Sequence, residues 1–190
     1  MELRPLIGDY MLYVLLPLWF VAGVADYGCH RRTCIETTSG LKECALHILQ
    51  AVQIGIALLA GLFLEINALV LLVMLLGVLA HTLTAFWDAQ YTASRRYISP
   101  FEQHVHSHLE YIPLVALSLV AMLYWSQFAA LFSAGSDSAS FSLRPKSEPL
   151  HTRYLIIVLV PVLLVQGALL AEETLRSRRA RARIKSITAR

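Results

Sequence analysis

The chain has 190 residues, of which 57% are hydrophobic and 15% charged, with a net charge of +3. A soluble domain is nearer half apolar and a quarter charged. The composition therefore excludes a disordered chain, a nucleic-acid-binding domain and an ordinary cytosolic enzyme, and predicts a polytopic membrane protein. The charge is unevenly spread. Seven of the sixteen basic residues (Arg176, Arg178, Arg179, Arg181, Arg183, Lys185, Arg190) lie in the last fifteen positions, which leaves nine basic against thirteen acidic residues, a body of −4.

The expected fold is an all-α membrane bundle of about five spans. The first apolar run, Tyr10–Ala25, continues as helix toward His30. Its flank carries a single arginine and only a poor cleavage site, so it reads as a retained span rather than a signal peptide. Leu41–Leu64 and Ile66–Tyr91 follow, separated by the tight hairpin Glu65-Ile66-Asn67. A fourth run extends from Phe101 to about Phe132, and a fifth covers Tyr154–Ala171. At ~1.5 Å per residue each spans a ~30 Å hydrocarbon core, the first once its extension is included. Pro17, Pro113 and Pro161 lie inside these runs and read as tolerated kinks. Gly55 and Gly61 read as close-packing points.

Residues 1–171 are thus expected to form the bundle, with a polar loop at 133–150, and residues 172–190 a basic tail. Arg176–Arg183 reads as a helix held to anionic lipid at ~1 kcal/mol per basic residue. Arg31, Arg32, Lys42, Arg95, Arg96 and the tail fall on one side of the membrane, and Arg4, Arg144, Lys146 and Arg153 on the other. The positive-inside rule then places the N-terminus outside and the C-terminus in the cytoplasm. Trp87, Tyr91 and Tyr97 fit an interfacial belt. Cys29, Cys34 and Cys44 give no disulfide framework and no CxxC metal site.

Placed on this topology, the ionisable residues converge. Asp26 and His30 share one face at the end of the first span, and Glu43, His47 and Gln50 one face at the start of the second. Glu36 lies between them. His81 and Asp88, two turns apart, close the third span. The fourth opens with Glu102, His106 and Glu110 on one stripe and His104 and His108 on another. Six of the seven histidines therefore gather at the cytoplasmic ends of four helices.

Such groups are tolerated in a membrane only toward a bundle interior, a water cavity or a partner. A metal ion offsets their burial by neutralising carboxylates and taking neutral imidazole as ligand. Mixed histidine and carboxylate donors suit iron first, with zinc or manganese as alternatives, and so many donors suit two ions. The expected ligands are His47, His81, His106, His104, Glu43, Asp88, Glu102, Glu110, His30 and Asp26, with Glu36, His108 and Gln50 as supporting groups. Arg31, Arg32, Arg95 and Arg96 are placed to meet lipid phosphates, or else to pair with the carboxylates.

This arrangement resembles the integral-membrane histidine-cluster di-iron oxidoreductases, the fatty-acid desaturases and hydroxylases, although only His104-x-x-x-His108 matches their histidine boxes and no HxxHH is present. Asp26–Gln50 and Phe101–Glu110 also resemble segments of a group of small bacterial inner-membrane proteins. The first resemblance implies an O₂-dependent di-iron oxidoreductase acting on a lipid or apolar substrate, with electrons from a partner protein. The second implies a bacterial inner-membrane location. Two other readings stay open. One is a zinc-dependent lipid hydrolase. The other is a non-enzymatic metal or haem protein, with His47 facing His81 or His106 across a haem. Nucleic acid is not an expected partner.

Overall fold

Long apolar runs without turn residues have nothing to interrupt them, and each becomes one helix. The computed structural model describes residues 3–135 and 137–188. They form α1 (Leu3–Arg32), α2 (Leu41–Phe63), α3 (Ala68–Ala93), α4 (Pro100–Leu123), the short α5 (Trp125–Ala130) and α6 (Thr152–Thr188). Five of these, all but α5, are long and apolar enough to cross a membrane. No strand occurs among the described residues.

The outlines differ from expectation in four places. The first span begins at Leu3 and runs unbroken to Arg32. It passes Pro17 through a widened turn at Met11–Leu15, and α6 passes Pro161 through a similar turn at Leu155–Leu159. Proline lacks an N–H and crowds the preceding turn, so the helix widens ahead of it. The two widened turns meet, where the Tyr154 hydroxyl donates to the Leu12 carbonyl at 3.0 Å. The fourth run is not one helix, because α4 stops at Leu123 and the chain turns at Tyr124 before α5. The last span does not end near residue 171 but continues as helix to Thr188, with Glu173 and Ser177 buried against the bundle. The loop after α5 is strapped to the α2–α3 hairpin by Glu65 N–H to the Arg144 carbonyl (2.8 Å) and Lys146 N–H to the Phe63 carbonyl (2.9 Å).

The apolar core sits at mid-height, where Ile54 and Ala57 of α2, Val70, Met74 and Val78 of α3 and Leu117 of α4 pack together. The close approach of α2 and α3 is made at Gly77, not at Gly55. A Cβ at Gly77 would lie 3.0 Å from Ala57 Cβ and 3.0 Å from the Gln53 carbonyl, whereas one at Gly55 meets nothing within 4 Å. Gly61 approaches only the flexible end of Met74. Gly77→Val is therefore expected to destabilise the bundle by about 1–3 kcal/mol. Gly55→Ala should leave thermal unfolding in detergent unchanged or raise it slightly.

Candidate metal centre

Three helices carry the same short pattern, a carboxylate four residues before a histidine: Asp26 and His30 on α1, Glu43 and His47 on α2, Glu102 and His106 on α4. This spacing stacks acid and imidazole on one face, a turn apart. The start of α4 is fixed by the Ser99 hydroxyl, which accepts from Glu102 N–H at 3.1 Å, and by Pro100 in the first turn. Both are strong helix-start signals, and they hold Glu102 in a fully buried position. α3 adds His81 and Asp88, and α6 adds Glu173, all three buried.

The imidazoles of His30 and His47 lie parallel, 4.6 Å apart at 5°. One carboxylate clamps both. Glu173 Oε2 is 3.0 Å from His30 Nδ1, and Glu173 Oε1 is 3.0 Å from His47 Nδ1. A carboxylate only accepts, so both rings donate through Nδ1, and both Nε2 lone pairs are left facing the centre.

His30 Nε2 lies 3.4 Å from Asp26 Oδ1, 3.8 Å from Glu102 Oε1 and 4.0 Å from Glu43 Oε1. His106 Nε2 is 2.9 Å from Asp26 Oδ1 and 4.0 Å from Glu102 Oε1. His47 Nε2 is 3.1 Å from Asp88 Oδ2 and 3.9 Å from Glu43 Oε1. Donors bound ~2.1 Å from one ion stand between about 3 and 4.2 Å from each other, from neighbouring to opposite positions. These separations match that range. Two groups converge closely enough to hold an ion: Asp26, His30, Glu102 and His106, and His30, Glu43 and His47.

Asp26 Oδ1, His30 Nε2 and Glu102 Oε2 are buried without an aligned hydrogen bond, while Glu102 Oε1 is met by Arg96. His106 Nε2 approaches Asp26 Oδ1 to 2.9 Å, a separation that serves an N–H···O bond or two ligand atoms facing one ion. Buried polar atoms rarely stay unpaired, and each unpaired one costs about 1–3 kcal/mol.

Charge points the same way. Asp26, Glu43, Asp88, Glu102 and Glu173 are five carboxylates with side chains at most 13% exposed. The one buried cation among them is Arg96, whose Nη2 lies 2.6 Å from Glu43 Oε1 and 2.6 Å from Glu102 Oε1. Burial opposes the arginine's charge, but the Glu102 and Glu43 carboxylates outweigh burial and hold it protonated. With neutral imidazoles the centre carries −4, the charge that two divalent ions cancel.

Several expected residues lie elsewhere. Arg96 faces no lipid, since its guanidinium is inside the cluster and also donates to the Thr33 hydroxyl. Arg31 pairs with Glu172 at 3.0 Å near the surface, and Arg95 lies over the Tyr91 ring, 4.8 Å from its centroid. Arg32 is exposed and makes no ion pair among the described residues. His104 and His108 contact each other edge to face, 4.6 Å between ring centroids, away from the donor groups. Glu110 makes no ion pair among the described residues and joins neither donor group. Glu36 pairs with Arg176. Gln50 donates to Asp88 Oδ2 at 3.2 Å. His81 is buried with both ring nitrogens unpaired, outside both donor groups. It lines a cavity of about 80 Å³ shared with Asp26, His30, His47 and Glu173.

Glu173 is the residue that sequence reasoning missed. Residues 172–190 read as a basic cytoplasmic tail, with Arg176–Arg183 as a helix held to anionic lipid and with no part in the centre. The available signal was Gln166 and Glu173, two turns apart on an otherwise apolar face.

The fold and this centre define a five-span helical bundle with a buried histidine and carboxylate cluster that could hold metal. No protein-family model, curated protein or solved structure matches the chain.

Proposed function

We propose that the protein is an integral-membrane metalloprotein that holds two metal ions, iron in preference to manganese or zinc, and uses them with O₂ to oxidise a lipid or other apolar substrate. The observation that carries this reading is the pair of donor groups sharing His30, inside a −4 cluster with orphaned ligand atoms. Nitrogen and oxygen donors without thiolate favour these metals. Helical bundles build two-ion sites from inward-facing carboxylates and histidines.

The small cavity beside the cluster suits a ligand of a few atoms, since a water occupies about 30 Å³ of liquid. It is too small for a porphyrin, which disfavours the haem reading. The reaction in balance is R–H + O₂ + 2e⁻ + 2H⁺ → R–OH + H₂O, with the electrons delivered by a carrier protein. Glu173 and Arg96 hold ligands in place. The Lys and Arg distribution supports a C-terminus in the cytoplasm, and the bacterial inner membrane rests on the resemblance of Asp26–Gln50 and Phe101–Glu110 alone.

Elemental analysis and absorption spectroscopy on anaerobically purified protein test the proposal. Two irons per chain are expected. His106→Ala should lose one ion. His30→Ala should also lose one ion, because Nε2, the only ring nitrogen free of Glu173, can ligate a single metal. Protein that takes up no divalent metal would overturn the reading. Zinc alone, with turnover in the absence of O₂, would replace it with hydrolysis.

A further inference from the structure

A second cavity, about 330 Å³, occupies the other half of the bundle. It begins at Arg4, Tyr124 and Lys146 and ends at Trp19, which also walls the small cavity beside the histidines. Along α4 its lining runs from Ile112 to Leu123, which is about 16 Å at ~1.5 Å per residue. The volume over that length gives the section of a single extended chain. Its walls are aliphatic, glycine and proline side chains except at the two ends.

At the inner end the Trp19 indole N–H is already used, donating to the Leu109 carbonyl at 3.3 Å. At the outer end stand two cations. Arg4 Nη2 donates to the Leu123 carbonyl at 2.8 Å and its guanidinium lies 4.8 Å from the Tyr124 ring centroid. Lys146 Nζ donates to the Gly61 carbonyl at 2.8 Å. Each keeps further N–H donors. Among the described residues no carboxylate is within ion-pair distance of either. Glu65, on the same hairpin, accepts instead from Ser147 N–H at 2.6 Å.

Two cations with no carboxylate in direct contact, Glu65 being near Lys146 but engaged by Ser147, stand at the mouth of an apolar tube and match one class of ligand. We propose that this cavity binds a single-chain amphiphile, with its carboxylate or phosphate head on Arg4 and Lys146 and its tail end against Trp19. Head and metal cluster then lie at opposite ends of the bundle, and the terminal part of the chain, not the head, is presented toward the histidines. Only this last point rests on the oxidase reading, because binding itself needs no metal.

Gly8 lines the cavity, and a Cβ there meets nothing within 4 Å. Gly8→Phe therefore places its Cβ without a clash and puts a ring at the cavity lining. The test is equilibrium binding of radiolabelled hexadecanoic acid, hexadecyl phosphate and hexadecanol to the full chain in nanodiscs. At least one anion should bind about tenfold more tightly than the alcohol, and which one does so identifies the head group. The Arg4→Gln, Lys146→Gln double variant should erase that difference. Gly8→Phe should abolish binding of all three while keeping its metal. Equal affinity for alcohol and both anions, or wild-type binding by Gly8→Phe, would overturn the proposal. Metal content is measured on the same samples. Protein that binds the acid but no metal defeats only the oxidase reading, and protein that holds metal but does not discriminate defeats only this one.

Discussion

Arg96→Ala is expected to destabilise the metal-free protein by about 3–5 kcal/mol, the usual result of removing one partner from a buried ion pair. The reason lies in what remains. Glu43 and Glu102 are essentially without solvent contact, and among the described residues Arg96 is the only cation paired with either apart from imidazoles. Without it the cluster holds five carboxylates against histidines alone. The same argument predicts rescue. Divalent ions in the two donor groups, one holding Glu102 and the other Glu43, supply the missing positive charge, so added Fe²⁺ or Mn²⁺ should restore much of the loss, and the variant should gain more from metal than the wild type does. Thermal unfolding in detergent, with and without metal, measures both effects. Arg96→Lys should fall between, because an ammonium keeps the charge but cannot fork between two carboxylates. An alanine variant as stable as wild type without metal would mean that the imidazoles neutralise the cluster by themselves.

Arg96 also shows where the sequence left two readings open, lipid phosphate or the carboxylates, and the second holds for Arg96. Counting Lys and Arg assigns sidedness, and a basic residue just past a helix end reads as an interfacial charge. Only the path of the chain after α3 reveals that this arginine turns back under α2 and α4 while its neighbour Arg95 stays outside. The repeated acid-x-x-x-His pattern was legible, because i, i+4 spacing fixes a shared face whatever the tertiary context. Which faces look at each other was not. Glu102 and His106 point inward, while His104 and His108, as promising by motif, pair with each other elsewhere. His81 was legible as a buried polar residue but not as a neighbour rather than a member of the donor groups. Span number followed from hydropathy, and span ends did not, because helices continue past the apolar window where another element covers them. That last effect hid Glu173, which sits in a continuous helix beyond the apolar run.

Glu173→Ala should weaken metal binding by about 10–100-fold, the usual effect of losing a group that orients a ligating imidazole. It should do so without reducing the number of ions bound at saturation. The carboxylate touches both rings through Nδ1, on the side away from the converging Nε2 atoms, and it belongs to neither donor group. It therefore acts on the ions only through the imidazoles. Removing it frees each ring to rotate and to change tautomer, so a share of molecules presents Nε2–H, which cannot ligate. The stacking of His30 on His47 couples the two, so both ions feel one substitution. Glu173→Gln separates orientation from charge. Its single carbonyl oxygen can accept from one Nδ1–H, while its NH₂ cannot accept from the other, so one ring stays fixed and one is released. Titration with Fe²⁺ should then resolve one site near wild-type affinity and one weakened. Two sites weakened equally would show that the negative charge of Glu173, and not its hydrogen bonds, is what the centre requires. An alanine variant that binds both ions as tightly as wild type would remove Glu173 from the centre altogether.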